Sequence, residues 1–216
     1  QHPDLELGAL FSYGWPILLL VASAVFAFNT VGNVLGTNQA NVRRLARVTA
    51  CCGLLLSLLL AALAFSPLAG LLLRDVMAVP ASELEMTQTA LKILAPYPAI
   101  RAMNALAQGI LIRAGHAPQV LAARFVRFAA GLIVLVVGLQ TDRIGGAALG
   151  AAAIMLSLLA QTIFLWWRAR RPIRDLGTGP IDEEIVDLGK LARFAAPLAI
   201  TPILVSVGGL AMASAI

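Results

Sequence analysis

Long stretches without a charged residue constrain this chain more than any other feature. Four of them exceed 20 residues, and they are Leu7–Val42, Val48–Leu73, Ile144–Trp167 and Phe194–Ile216. A fifth, Phe128–Thr141, reaches that length only with the preceding residues 119–127, and a sixth, Ile93–Ile112, is interrupted once, by Arg101. The hydrocarbon core of a bilayer is about 30 Å thick and takes roughly 20 apolar residues of helix to cross. The sequence therefore predicts an integral membrane protein with six spans.

Composition favours helices over strands in these spans. The chain is 60% hydrophobic and 12% charged, whereas a soluble domain carries about 25% charged residues. In lipid only helices and closed barrels satisfy the backbone, and barrel strands are about 10 residues long with alternating polarity. Here the apolar runs are long, continuous and rich in Leu and Ala. The predicted fold class is all-α, a polytopic membrane protein.

Basic residues are sorted between alternate loops. Loops 38–47, 113–127 and 168–193 carry twelve Lys and Arg between them, whereas loops 74–92 and 142–143 carry three. The positive-inside rule places the first set in the cytoplasm. We therefore read the net charge of +5 as a topology signal and expect no nucleic-acid partner. The expected location is the bacterial inner membrane.

The order of segments predicts three parts. Residues 1–167 hold five spans, residues 168–193 form a cytoplasmic linker, and residues 194–216 form a sixth span. Within the linker, Gly177-Thr178-Gly179-Pro180 is a breaker, and apolar residues at helical spacing follow it over 181–192, which predicts an amphipathic helix. In the third span, Pro96 and Pro98 each remove a backbone donor, so this helix is expected to be irregular.

Arg101 is the one charge inside a predicted span, and it anchors the candidate substrate site. Asn104 lies three residues after it and Gln108 four residues further, which places the three on one helical face. Asn29 and Asn33 are the polar residues of the first span, and we expect them to line the same cavity. None of the 11 acidic residues lies in a span, so an anionic substrate is predicted.

Enzyme chemistry is not indicated. The chain has two histidines, which the topology places on opposite sides of the membrane, and it contains no GxSxG, Walker or HExxH motif. Cys51 and Cys52 are adjacent and have no metal-ligand spacing. We expect no enzyme activity, no catalytic residue, no metal and no cofactor.

Several segments resemble helices of the MATE-like, or MOP flippase, superfamily. Phe11-Ser12-Tyr13-Gly14-Trp15-Pro16 through Asn33-Val34-Leu35-Gly36, with the basic turn Asn41-Val42-Arg43-Arg44, is similar to the second helix. Ile93–Arg113 is similar to the fourth, Gly145-Gly146-Ala147-Ala148-Leu149-Gly150 opens a segment similar to the sixth, and Lys190–Thr201 resembles the start of the seventh. The segment Tyr97–Arg113 looks most like the progressive-ankylosis (ANK) branch, although Arg101 stands where ANK proteins have an acid.

This resemblance implies a fold and a function. The six spans would be the second to seventh helices of a two-lobed transporter, so residues 1–167 would form most of the first lobe, and an earlier helix and a second lobe are expected. The start at Gln1 and the last span, which ends without a flanking charge, agree with a fragment. ANK-branch members are linked to export of polyanions such as pyrophosphate, ATP and citrate. The implied activity is secondary active export of an organic or phosphate-bearing anion by alternating access between the lobes.

Three alternatives remain open at this point. A flippase for a lipid-linked oligosaccharide or peptidoglycan precursor would need more than one cation in its groove. A multidrug or cation antiporter would need an acid, which drug exporters of the superfamily carry in their first helix. A non-transporting membrane scaffold would seal the polar stripe by packing. The expected partners are a small-molecule or lipid-linked anion, membrane lipids and a coupling ion.

Overall fold

The computed structural model describes residues 14–76, 79–140 and 145–177, together with Gly189. Over these residues the chain is helical and has no strand. The elements in chain order are α1 (Trp15–Ala22), a 3-10 turn (Ser23–Phe26), α2 (Ala27–Leu35), α3 (Gln39–Phe65), α4 (Pro67–Leu71), a π-helical turn (Leu72–Val76), α5 (Ala81–Leu94), α6 (Tyr97–Arg113), α7 (Ala117–Gln140) and α8 (Gly146–Asp175). The all-α prediction is confirmed for this part of the chain.

Four of these helical segments are long and apolar enough to cross a membrane. They are Ile17–Leu35, which joins α1, the 3-10 turn and α2, and the helices Gln39–Phe65, Ala117–Gln140 and Gly146–Asp175. By length and composition they support a membrane protein. The predicted number of six is not confirmed. The predicted sixth span, 194–216, and the predicted linker helix lie outside the described residues.

The third predicted span is broken rather than continuous. Helix α5 ends at Leu94, and the turn Ala95-Pro96 separates it from α6. Pro98 lies in the first turn of α6, where a missing N–H costs nothing. The prolines thus divide the segment, and α6 keeps 17 residues. Most of the predicted span is therefore in α6, and α5 lies largely in the segment 74–92 that the sequence predicts to be a loop.

Capping residues explain several helix ends. Asn38 has an extended backbone, and its side chain accepts a hydrogen bond from the Asn41 N–H at 2.8 Å, which caps the start of α3. Between α6 and α7, Gly115 adopts a φ of +75°. The His116 N–H then bonds to the Leu111 carbonyl at 2.9 Å and the Gly115 N–H to that of Ile112 at 3.0 Å. This pattern is a Schellman motif, and it ends α6 where the sequence predicts a turn.

Helix α6 lies at the centre of the bundle and contacts α2, α3 and α8. Gly53 of α3 faces Ala99 so closely that a Cβ there would lie 2.8 Å from the Ala99 Cα. One turn further, the Ser57 hydroxyl accepts a hydrogen bond from the Ala99 N–H at 3.0 Å. This N–H belongs to the first turn of α6 and has no partner within its own helix. Small residues thus let α3 cap its neighbour.

The three predicted basic loops lie at one end of the bundle. Gln39, at the start of α3, donates a hydrogen bond to the Arg174 carbonyl near the end of α8 at 3.1 Å. Arg168 donates to the Gln119 side chain near the start of α7 at 3.2 Å, and Arg113 donates to the Asn33 carbonyl at 2.9 Å. Since the loops around 38, 114 and 176 meet there, the fold agrees with alternate loops facing one side.

Apolar side chains cover the outer faces of two helices. On α3 and α7 many large hydrophobic residues are exposed; they include Leu54, Leu55, Leu58, Leu59, Phe125, Phe128, Leu132, Ile133, Val136 and Val137. In the most apolar stretch of α7 only 11% of the residues are buried, compared with 50% in the corresponding stretch of α8. Exposed apolar faces of this size fit contact with lipid chains. Helix α7 is therefore the most peripheral of the four long segments.

Candidate functional site

Arg101 lies in the second turn of α6, between the irregular first span and α8. Its side chain is partly buried, and the guanidinium carbon lies 4.7 Å from the centroid of the Phe26 ring. This distance is within the range of a cation–π contact. The Nη1 group of Arg101 also donates a hydrogen bond to Asn104 Oδ1 at 3.0 Å. The cation is thus fixed by a ring on one side and an amide oxygen on the other.

Asn104 is the centre of the polar cluster. It is completely buried, and its Oδ1 accepts hydrogen bonds from both Arg101 and Gln108. Its Nδ2 donates to the hydroxyl of Thr162 on α8 at 3.0 Å, and that hydroxyl donates to the Leu158 carbonyl at 2.7 Å. A chain of hydrogen bonds in a low-dielectric interior polarises its members and strengthens them.

The cluster extends to the first span through Gln108. Gln108 Oε1 accepts a hydrogen bond from Asn29 Nδ2 of α2 at 3.5 Å, a long bond. Asn33 lies one turn beyond Asn29, and its backbone carbonyl accepts a hydrogen bond from Arg113. Among the described residues no hydrogen bond joins the Asn33 side chain to the cluster. Four of the five residues predicted from the sequence are therefore connected, and Asn33 is adjacent to them.

Close packing of α2 against α6 brings the amides together. A Cβ on Gly109 would collide with the Asn29 carbonyl, and one on Gly32 would lie 2.7 Å from the Leu106 carbonyl. Small residues at such contacts let helix backbones approach, which stabilises association in lipid. The small residues of 29–39 in the first span, together with Gly109, explain how Asn29 reaches Gln108.

Sequence reasoning missed two members of this cluster. Thr162 pairs with Asn104 although it is 58 positions away along the chain, and Phe26 covers the guanidinium of Arg101. Trp166 adds a further link, because its Nε1–H donates to the Met103 carbonyl at 3.2 Å. The hydroxyl of Thr162 within an apolar span was the one available signal, since polar groups in spans generally face other helices.

Some buried acceptors lack a hydrogen-bond partner. Within the described part of the chain these atoms are the hydroxyls of Thr49 and Thr87 and the side-chain oxygen of Gln161. A buried polar atom without a partner costs about 1–3 kcal/mol. Over the same described residues, no three His, Cys, Asp or Glu side chains come together to hold a metal.

A separate pocket lies between α7 and α8. Its volume is about 350 Å³, and its lining is Arg124, Arg127, Phe128, Gly131, Leu132, Leu135 and Ser157. None of the five predicted site residues lines it. Arg124 and Arg127, which the sequence places in the loop 113–127, belong to helix α7 in the structure and line this pocket together.

The arrangement is suited to binding an anion. A guanidinium has five N–H donors in a planar fork, and the bond from Arg101 to Asn104 uses one of them. Over the described residues, no carboxylate forms a hydrogen bond or an ion pair with Arg101.

Comparison of the chain with protein-family models, with curated proteins and with solved structures finds no match.

Proposed function

We propose that this chain forms most of one lobe of a MATE-like, two-lobed secondary transporter that exports an organic or phosphate-bearing anion. Residues 1–167 would belong to the first lobe, 168–193 would connect the lobes, and 194–216 would begin the second. The observation that carries the proposal is Arg101, a cation that donates to the buried Asn104 amide and is paired with none of the carboxylates in the described part of the chain. The expected location remains the bacterial inner membrane.

A cation at this place in a membrane bundle needs a reason. An arginine within a membrane bundle is unfavourable, and such residues generally mark substrate or ion pathways. A purely structural role would pair the charge with a carboxylate, whereas here Asn104 Oδ1 and the Phe26 ring are its neutral neighbours. These neighbours hold the guanidinium in place, and none of the described carboxylates compensates its charge, as an anion site requires.

The hydrogen bonds also indicate how an anion would enter the site. In the absence of substrate Asn104 Oδ1 holds Arg101, and Gln108 shares the same oxygen. A carboxylate or phosphate is a stronger acceptor than an amide for a guanidinium and accepts two parallel bonds from it. Binding would therefore replace the Arg101–Asn104 bond, while Gln108 and Thr162 keep the Asn104 amide in position.

A second candidate is a flippase for a lipid-linked diphosphate. Such a substrate would need more than one cation. The pocket between α7 and α8 favours this candidate, because Arg124 and Arg127 line it next to an apolar wall. A soluble polyanion such as pyrophosphate and a lipid diphosphate are distinguished by whether a head group without a chain is transported.

Flux of pyrophosphate, citrate and ATP by the full-length protein in proteoliposomes tests the proposal. We expect Arg101→Ala to abolish transport and to leave insertion intact, because the charge that attracts the anion is removed. Arg101→Lys should retain part of the flux if a point charge suffices, and little if a bidentate contact is needed. The matched control is Arg170→Ala, which removes an exposed arginine near the end of α8. Normal flux of every tested anion by Arg101→Ala, at equal expression, would show that the site assignment is wrong.

A further inference from the structure

The pocket between α7 and α8 combines charge at one end with an apolar wall at the other. Arg124 and Arg127 stand one helical turn apart on α7, and Ser157 faces them from α8. The remaining lining is Phe128, Gly131, Leu132 and Leu135. Phe128 and Leu132 are exposed on the peripheral face of α7. The shape therefore suits a ligand that has a negative head and an apolar tail.

Both arginines lie in the first half of α7, toward the end of the bundle where the basic loops meet. Helix α7 begins at Ala117, and at 1.5 Å per residue Arg124 stands about 10 Å and Arg127 about 15 Å along its axis. Two guanidinium groups one helical turn apart favour an anion that compensates their charge. Among the described residues the carboxylates are Asp75, Glu83, Glu85 and Asp175. None of these lines the pocket.

We propose that this pocket binds the phosphate of an anionic membrane phospholipid at Arg124 and Arg127. Its acyl chain lies along Phe128, Leu132 and Leu135 and continues over the exposed face of α7. Basic pockets between membrane helices on the cytoplasmic side are suited to anionic head groups. The site is distinct from the Asn104 cluster, none of whose residues lines this pocket. The inference does not depend on the transported substrate.

A phospholipid fits the pocket better than a soluble anion does. A free phosphate would make no contact with the apolar wall of Phe128, Leu132 and Leu135. These three residues belong to α7, the most lipid-exposed of the long helices. An acyl chain covers that wall. Because the chain comes from the bilayer and not from water, it gains only its packing against these side chains. The head-group charge therefore supplies the selectivity, and the chain supplies access from the membrane.

Native mass spectrometry of the full-length protein with equimolar phosphatidylglycerol and phosphatidylcholine of matched chains tests the proposal. We expect bound phosphatidylglycerol to predominate, and Arg124→Ala/Arg127→Ala to lower this preference roughly 30-fold, because each basic residue near a lipid head group contributes a factor of about five. Arg124→Lys/Arg127→Lys should keep most of the preference, which separates loss of charge from misfolding. Arg170→Ala/Arg171→Ala removes the same charge from exposed positions on α8, and it should change little.

Four outcomes would overturn the inference. An equal loss of preference in the Arg170→Ala/Arg171→Ala control would show that general positive charge, not the pocket, attracts the lipid. Loss of preference in Arg101→Ala alone would place the lipid at the Asn104 cluster. Displacement of phosphatidylglycerol by millimolar inorganic phosphate would show that the site recognises a soluble anion. An unchanged preference in Arg124→Ala/Arg127→Ala would show that another part of the protein covers the two arginines.

Discussion

Replacing Asn104 by alanine is the most direct test of the polar cluster. The substitution removes three hydrogen bonds at once, two accepted by Oδ1 and one donated by Nδ2 to Thr162. Neutral hydrogen bonds between membrane helices average about 0.6 kcal/mol, and a bond from a charged donor contributes about 1.5–3 kcal/mol. Because Asn104 is completely buried, the truncation also leaves a cavity. We expect the free energy of unfolding to fall by about 2–4 kcal/mol.

The assay is reversible unfolding in mixed detergent micelles, followed by the helical signal in circular dichroism. Thr162→Val retains the side-chain shape and removes the hydroxyl, so it should cost about 1 kcal/mol. In the double-mutant cycle of these two variants, we expect a coupling energy between about 0.6 and 1.7 kcal/mol. Leu159→Ala on the exposed face of α8 is the control and should change stability by less than either variant. Additive effects at Asn104 and Thr162, or a cost at Asn104 no larger than the control, would refute the argument.

Three other predictions concern packing, charge and topology. Gly109→Ala should destabilise the protein by about 1–3 kcal/mol, because the added methyl collides with a backbone carbonyl of α2. Thermal unfolding in detergent measures this loss of stability. An unchanged stability would mean that α2 and α6 are further apart than described. Asn104→Asp gives Arg101 a permanent carboxylate partner, so we expect anion flux to fall while stability is retained, and wild-type flux would contradict competition for the guanidinium. A single cysteine at position 82 should react with an impermeant reagent added outside, and one at position 116 should react only from the cytoplasm. The reason is that basic residues concentrate in the loop that holds His116. The reverse labelling pattern would show that the topology is inverted.

Local physics accounts for the helices that the sequence predicts. Apolar runs in a chain with few charges require helices in lipid. Asn38 caps the start of α3, and Gly115 ends α6, as the capping rules expect of these residue types. The effect of Pro96 was only partly predictable. The sequence indicates an irregular third span, but whether two prolines bend one helix or separate two depends on what the neighbouring helices hold in place. In the structure α5 and α6 both contact α3 and α8, α6 also packs closely against α2, and the segment divides between the two helices.

The candidate site was partly predictable for the same reason. The spacing of Arg101, Asn104 and Gln108 places them on one face of a helix, and the structure links all three through Asn104. Asn29 was expected at the same cavity because polar residues in spans avoid lipid, and it reaches Gln108. No local rule could supply Thr162, since a hydroxyl in a span has several neighbouring helices as available partners.

The sequence by itself indicated that this protein lies in a membrane and that its backbone is helical. It also indicated the sorting of the basic loops and the polar face around Arg101. These properties follow from hydrophobicity, charge and helical period, which act over one or two turns. Only the tertiary structure decided which helices surround that face, because packing joins residues far apart in the chain. It placed Thr162 against Asn104 through the close approach of α6 and α8. It also placed Arg124 and Arg127 beside Ser157 in the pocket between α7 and α8, since the sequence contains no signal for the side on which α7 packs along α8.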